Sequence, residues 1–140
     1  MSFTRSIAAG IACAALLAVI PAKAETVNFK ANLSAQEEVP PNSSKGTGSV
    51  TATYDSASKK LTWKGSYSGL SGPATAAHLH SGEKGKNGGV SVPIAPATSP
   101  IEGSATLTDQ QAADLMAGKL YVNIHTAEHK AGEIRGQLTK

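Results

Sequence analysis

The chain has 140 residues, of which 13 are Lys or Arg and 10 are Asp or Glu, giving a formal net charge of +3 at pH 7. Two of the basic residues, Arg5 and Lys23, lie in an N-terminal segment that we expect to be removed, so the rest is close to neutral, which argues against nucleic-acid binding. The single cysteine, Cys13, lies in the same segment, and its removal excludes iron–sulfur clusters, cysteine-ligated zinc and blue-copper centres.

The N-terminal segment has the pattern of a secretory signal peptide. Arg5 precedes an apolar run from Ile7 to Ile20, and Pro21-Ala22-Lys23-Ala24 then supplies small residues at the −3 and −1 positions of a cleavage site after Ala24. The run is shorter than the roughly 20 residues that span a bilayer, and no second apolar segment follows it. The sequence therefore predicts a signal peptide at 1–24 and one domain at 25–140, periplasmic or secreted, with no membrane span.

Short segments with alternating or β-branched residues recur through 25–140, separated by Gly, Pro, Asn and Ser, as is typical of an antiparallel sandwich or barrel. Eight strands are predicted: Val27–Leu33, Gly48–Tyr54, Leu61–Tyr67, Ala74–His80, Val90–Ile94, Gly103–Leu107, Leu120–His125 and Glu133–Leu138.

One short helix is predicted between the sixth and seventh strands. Thr108 is its expected N-cap and Gln111 its capping-box partner, while Gly118 ends it. Leu115 and Met116 are expected on its apolar side. These elements predict an all-β fold, an antiparallel Greek-key β-sandwich with a single crossover helix.

Four segments together resemble the chordin-type (CHRD) domain family: Leu33–Pro41, Ala77–Gly82, Gly118–Thr126 and Gly132–Leu138. The resemblance covers nearly all of the predicted domain. It implies an immunoglobulin-like or related β-sandwich in an extracytoplasmic setting, and it carries no catalytic reaction. His129 departs from the family pattern and is expected to be exposed to solvent.

The alternation of side chains along a strand separates the polar residues from the core. Five aliphatic residues are expected to be buried: Leu79, Val122, Ile124, Ile134 and Leu138. Their neighbours then share the opposite face: His78, His80, Tyr121, Asn123, His125, Glu133, Arg135 and Gln137.

On this face, His78 and His80 are two residues apart on one strand, and His125 on another strand would complete a three-imidazole metal site. Copper is favoured over zinc on intrinsic affinity. The His-X-His strand also resembles the copper-binding segment of copper–zinc superoxide dismutase, although that family's zinc-site residues and disulfide have no counterpart here.

Four polar residues are expected to orient the imidazoles or to stabilise the fold: Glu38, Asn123, Glu133 and Arg135. Glu133 and Arg135 could form an ion pair, bind an acidic ligand or orient a histidine, and the ion pair is the favoured interpretation. Glu38 is expected to matter to the site only if it is buried. In the alternative interpretation, the histidines hydrogen-bond Glu38, Asn123 or Glu133 and fix loops in place.

Three functions remain open. The first is an extracytoplasmic metal-binding protein that holds copper through the three histidines. The second is a non-catalytic module that binds an extracellular protein or the cell surface, with structural histidines. The third is a copper-dependent oxidoreductase, because an open coordination position can accept oxygen species.

Overall fold

The computed structural model describes residues 19–21 and 23–140. Cys13 and most of the predicted signal peptide lie outside these residues, so the cleavage after Ala24 remains a prediction. The described part of the chain forms eight strands and one α-helix: β1 Thr26–Ser34, β2 Thr47–Asp55, β3 Lys60–Ser68, β4 Ala74–Ser81, β5 Gly89–Ile94, β6 Ile101–Thr106, α1 Asp109–Met116, β7 Leu120–Thr126 and β8 Ile134–Gln137. A single 3₁₀ turn, Ala35–Glu37, follows β1.

All eight strands belong to one hydrogen-bonded sheet in the order β5-β4-β7-β8-β1-β2-β3-β6. Every neighbouring pair is antiparallel. The sheet curls until its two edge strands, β5 and β6, contact each other, which gives a nearly closed barrel. This confirms the all-β antiparallel prediction and places β4 beside β7, although the two strands are far apart in sequence.

The core lies on the inner face of this sheet. Leu79, Val122, Ile124, Ile134 and Leu138 are all buried there, as the alternation predicts. Trp63 is also buried, and Tyr67 packs against the core edge with its hydroxyl donating to the Ala97 carbonyl at 2.6 Å. The strand register inferred from the aliphatic residues is therefore correct.

Helix α1 begins as the sequence predicts. The Thr108 hydroxyl accepts from the Gln111 amide at 3.2 Å, and the Gln111 side chain accepts from the Thr108 amide at 2.9 Å. Leu115 packs into the core, whereas Met116 is 37% exposed, so its expected apolar contact is wrong. Successive helical residues point about 100° apart, and a helix this short buries only one narrow stripe. Within residues 19–21 and 23–140, no helix is long and apolar enough to cross a bilayer.

Candidate metal centre

Strand β7 lies at the centre of the candidate site because it is buried on both faces. Its inner face packs in the core, and its outer face is covered by two loops, 82–88 and 127–133. Asn123 and His125 are consequently buried even though they point away from the core. Alternation predicted the direction of these side chains, and the loops determine their burial.

Three histidines meet on this covered face. Leu79 and Ile124 point into the core, which turns His78, His80 and His125 outward. His78 Nδ1 lies 3.1 Å from His125 Nε2, and the three ring centroids are 5.0 to 5.7 Å apart. One ring nitrogen from each residue lies within 4.8 Å of the others. The structure thus brings together the three residues that the sequence predicted as ligands.

Backbone carbonyls determine which nitrogens carry protons in two of these rings. His80 Nδ1 lies 2.9 Å from the Gly88 carbonyl, and His125 Nδ1 lies 2.9 Å from the Lys130 carbonyl. A carbonyl only accepts, so both Nδ1 atoms are donors and both Nε2 atoms carry a lone pair. The lone pair of His125 Nε2 accepts from His78 Nδ1 at 3.1 Å. His80 Nε2 is buried and has no hydrogen-bond partner among the described residues. A lone pair in this position is a ready metal ligand.

The surroundings also favour the neutral form of His78 and His80. Burial lowers the pKa of His78, and the neighbouring His125 and His80 lower it further. Burial likewise lowers the pKa of His80, against an opposing effect of the Gly88 hydrogen bond. Both shifts favour the neutral imidazole, which is the form that coordinates a metal.

His80 also packs against an aromatic ring. Its imidazole stacks on Tyr121 with ring centroids 5.1 Å apart and planes 8° apart, and the Arg135 guanidinium lies 3.5 Å from the centre of the same tyrosine ring. Arg135 donates to the Glu83 and Lys86 carbonyls at 3.0 and 2.8 Å. Its hydrogen bonds go to loop 82–88, so the expected ion pair with Glu133 is wrong.

Residues 29–138 match the family model of the CHRD domain. The chain belongs to the CHRD-domain family. The match includes all three histidines and confirms the resemblance of the four sequence segments. A search of curated proteins and a search of solved structures each gave no match. Family membership thus identifies the type of domain, whereas its function depends on the side chains of the site.

In this CHRD domain, Glu133 stabilises the fold at a distance from the imidazoles. Its carboxylate is 0% exposed and accepts four hydrogen bonds at 2.6 to 2.7 Å, from the hydroxyls of Ser44, Ser71 and Thr126 and from the Ser71 amide. Burial alone raises the pKa of Glu133, and these hydrogen bonds outweigh it, so the pKa falls to about 2. Glu133 therefore joins two loops to the end of β7.

Glu38 is buried, which is the condition under which the sequence predicts that it matters to the site. Only 6% of the residue is exposed in this CHRD domain. It accepts from Asn123 Nδ2, which also donates to the Ile134 carbonyl at 3.0 Å. Burial raises the pKa of Glu38 to about 7, against the lowering effects of the Asn123 hydrogen bond and the charges of Arg135 and His129. Glu38 is thus a carboxyl that changes charge near neutral pH.

A pocket of about 530 Å³ adjoins these residues. Glu38, His80 and Asn123 line it together with His129. His129 is half-buried, so the prediction that it is exposed to solvent is wrong. Gly132 closes one side with φ 133°, and a Cβ at this position would lie 2.7 Å from Glu38 Oε1. This glycine, inside one of the family segments, is the sequence signal that could have indicated the close approach of the two loops.

Glu38 makes stability fall as pH rises. A carboxyl whose folded pKa lies above its value of 4.5 stabilises the fold fully below that pH, and this contribution disappears as pH passes through about 7. A pKa raised from 4.5 to about 7 corresponds to a contribution on the order of 3 kcal/mol. We therefore expect Glu38→Gln to become more stable relative to the wild type as pH rises from 5 to 8, measured by urea unfolding.

The matched control is Glu37→Gln, which alters the adjacent carboxyl, a residue whose oxygen lies 3.7 Å from the Lys84 ammonium. Its difference from the wild type should change little over the same range, because exposed ion pairs contribute little. Parallel pH curves for the wild type and Glu38→Gln would contradict the assignment.

Proposed function

We propose that this CHRD domain is an extracytoplasmic metal-binding protein that holds one copper ion through His78 Nδ1, His80 Nε2 and His125 Nε2. The observation that carries the proposal is the convergence of three imidazoles, two of them fixed by backbone carbonyls in the tautomer that leaves Nε2 unprotonated. The buried, unpartnered Nε2 of His80 supports it. Such an atom costs stability unless something occupies it.

The distances support a single ion. A tetrahedral or trigonal metal with bonds of about 2.0 to 2.1 Å holds its nitrogen ligands about 3.3 to 3.6 Å apart. The 3.1 Å separation of His78 Nδ1 and His125 Nε2 lies just below that range, and one ring nitrogen from each of the three histidines lies within 4.8 Å of the others. Metal binding thus requires His78 Nδ1 and His125 Nε2 to separate by a few tenths of an ångström and the His80 ring to approach them. It also requires His78 to carry its proton on Nε2, which leaves Nδ1 free to coordinate.

The ligand type supports copper, with zinc as the second choice. Three neutral imidazoles without a thiolate suit both metals, and copper binds nitrogen ligands more tightly. The proposal includes a Greek-key arrangement of the kind found in copper–zinc superoxide dismutase. The adjacency of β4, which carries the His-X-His pair, to β7, which carries the third histidine, supports this likeness. Localisation outside the cytoplasm rests on the predicted signal peptide.

Metal analysis of the exported protein, purified without an affinity tag, tests the proposal. We expect one copper per chain when the metal-free protein is titrated with Cu(II), or with Cu(I) under reductant. Acid should release the metal, because a protonated imidazole cannot coordinate. A protein that takes up no copper and no zinc under these conditions would leave the histidines as structural residues of an interaction module.

A further inference from the structure

A three-layer stack supports one of the proposed ligands. Tyr121 is the middle layer, with His80 on β4 and Arg135 on β8 as its partners from the strands on either side of β7. Arg135 is only 2% exposed and Tyr121 is also buried. The His80 ring therefore stacks on one face of Tyr121, and Arg135 packs against the same tyrosine ring and holds it in place.

Arg135 also controls the loop that fixes the His80 tautomer. Its guanidinium donates to Glu83 O, Lys86 O and Asn87 Oδ1 at 3.0, 2.8 and 3.3 Å. Gly88 follows Asn87 in this loop. The Gly88 carbonyl accepts from His80 Nδ1, and the Gly88 amide donates to the Tyr121 hydroxyl at 3.0 Å.

The position of Gly88 leaves little freedom. A Cβ at this residue would lie 1.6 Å from the Ser81 carbonyl, so its backbone is pressed against the end of β4. A small shift of the loop would consequently move the carbonyl that holds His80 Nδ1. Arg135 thus contacts both structures that hold the His80 ring, the Tyr121 ring and the loop that carries the Gly88 carbonyl.

We propose that Arg135 is a positioning residue for the metal centre: by clamping loop 82–88 and Tyr121, it keeps His80 Nε2 aimed at the ion. This inference rests on the proposed metal binding. Burying a guanidinium is costly. Its planar group stacks on Tyr121 while Nη1 and Nη2 donate to three acceptors of the loop, which a lysine ammonium cannot reproduce. Residues that orient a ligand in this way typically change metal affinity 10- to 100-fold when replaced.

The main test is Arg135→Met, which keeps much of the side-chain length and removes all donors. We expect copper affinity, measured by chelator competition, to fall about 10- to 100-fold. Electron paramagnetic resonance of the Cu(II) form should show three coordinated nitrogens in both proteins, with weaker coupling to one of them in the variant. Nitrogen NMR of the metal-free variant should show that His80 has lost its fixed Nδ1–H tautomer.

The matched control is Gln137→Leu. Gln137 also lies on β8 and donates to the backbone of the same loop, at Gly82 O, and to Gly118 O, both at 2.8 Å, but it is outside the stack. It should lower the melting temperature and leave three nitrogens and the copper affinity unchanged. Arg135→Lys keeps the charge and is the second test variant if Arg135→Met fails to fold. We expect its copper affinity to fall about threefold or more, because an ammonium lacks the planar fork of donors.

Two outcomes separate the inference from the function on which it rests. Wild-type nitrogen couplings, wild-type affinity and a fixed His80 tautomer in both Arg135 variants would reduce Arg135 to a structural residue. Failure of the wild type to bind any metal would overturn the proposed function instead. In that case the tautomer of metal-free His80 still shows whether Arg135 holds the ring.

Discussion

Replacing Glu133 with glutamine is expected to lower the free energy of unfolding at pH 7 by about 3 kcal/mol, the value that corresponds to a carboxyl pKa shifted from 4.5 to about 2. The physical reason is the set of four donors around the carboxylate, from Ser44, Ser71 and Thr126. An amide of the same size directs N–H groups at some of these donors and leaves them unsatisfied in a buried place.

The pH dependence supplies a second measurement of the same effect. A depressed pKa contributes stability above 4.5, and this contribution is lost as pH falls towards about 2. The gap between the wild type and Glu133→Gln in urea unfolding should therefore narrow over that range. Glu128→Gln, an exposed carboxyl on the neighbouring loop, is the control and should change stability by about 0.5 kcal/mol or less. Equal stability of Glu133→Gln and the wild type at pH 7 would contradict this role.

The second large effect is expected on copper binding. His80→Ala and His125→Ala each remove one of three proposed ligands, and we expect each to weaken copper affinity by about 100-fold or more, beyond the range for residues that only orient a ligand. Calorimetric titration and electron paramagnetic resonance measure the affinity and the number of coordinated nitrogens.

His129→Ala is the matched control, because this histidine lines the adjoining pocket and is not part of the three-imidazole cluster. It should bind copper as the wild type does. Wild-type stoichiometry and affinity in both His80→Ala and His125→Ala would disprove the site. Loss of binding in His129→Ala alone would move the site to the loop at 126–130.

Much of the strand pattern and the identity of the three histidines followed from local sequence. Alternation is a property of the extended backbone, so once Leu79 and Ile124 need the core, their histidine neighbours must point the other way. The capping box at Thr108 is equally local, because Thr108 and Gln111, which form it, are only three positions apart in the chain. For this reason these predictions needed no tertiary contact.

The tertiary structure alone decided what lies around those histidines. It placed β4 beside β7 and folded two loops over the outer face, which buries His125 and gives two rings their carbonyl partners. It also directed Arg135 to Tyr121 and loop 82–88, and Glu133 to distant serine and threonine residues.

The sequence favours an ion pair between Glu133 and Arg135, since the two residues lie two positions apart on one face of a strand. Alternation gives the direction of a side chain and says nothing of what covers it, whereas hydrogen-bond partners and burial depend on loops that return from elsewhere in the chain. The sequence by itself thus determined which residues face the candidate metal centre. The packing of loops and strands decided their tautomers, their burial and which carboxyl, Glu38 or Glu133, lies near them.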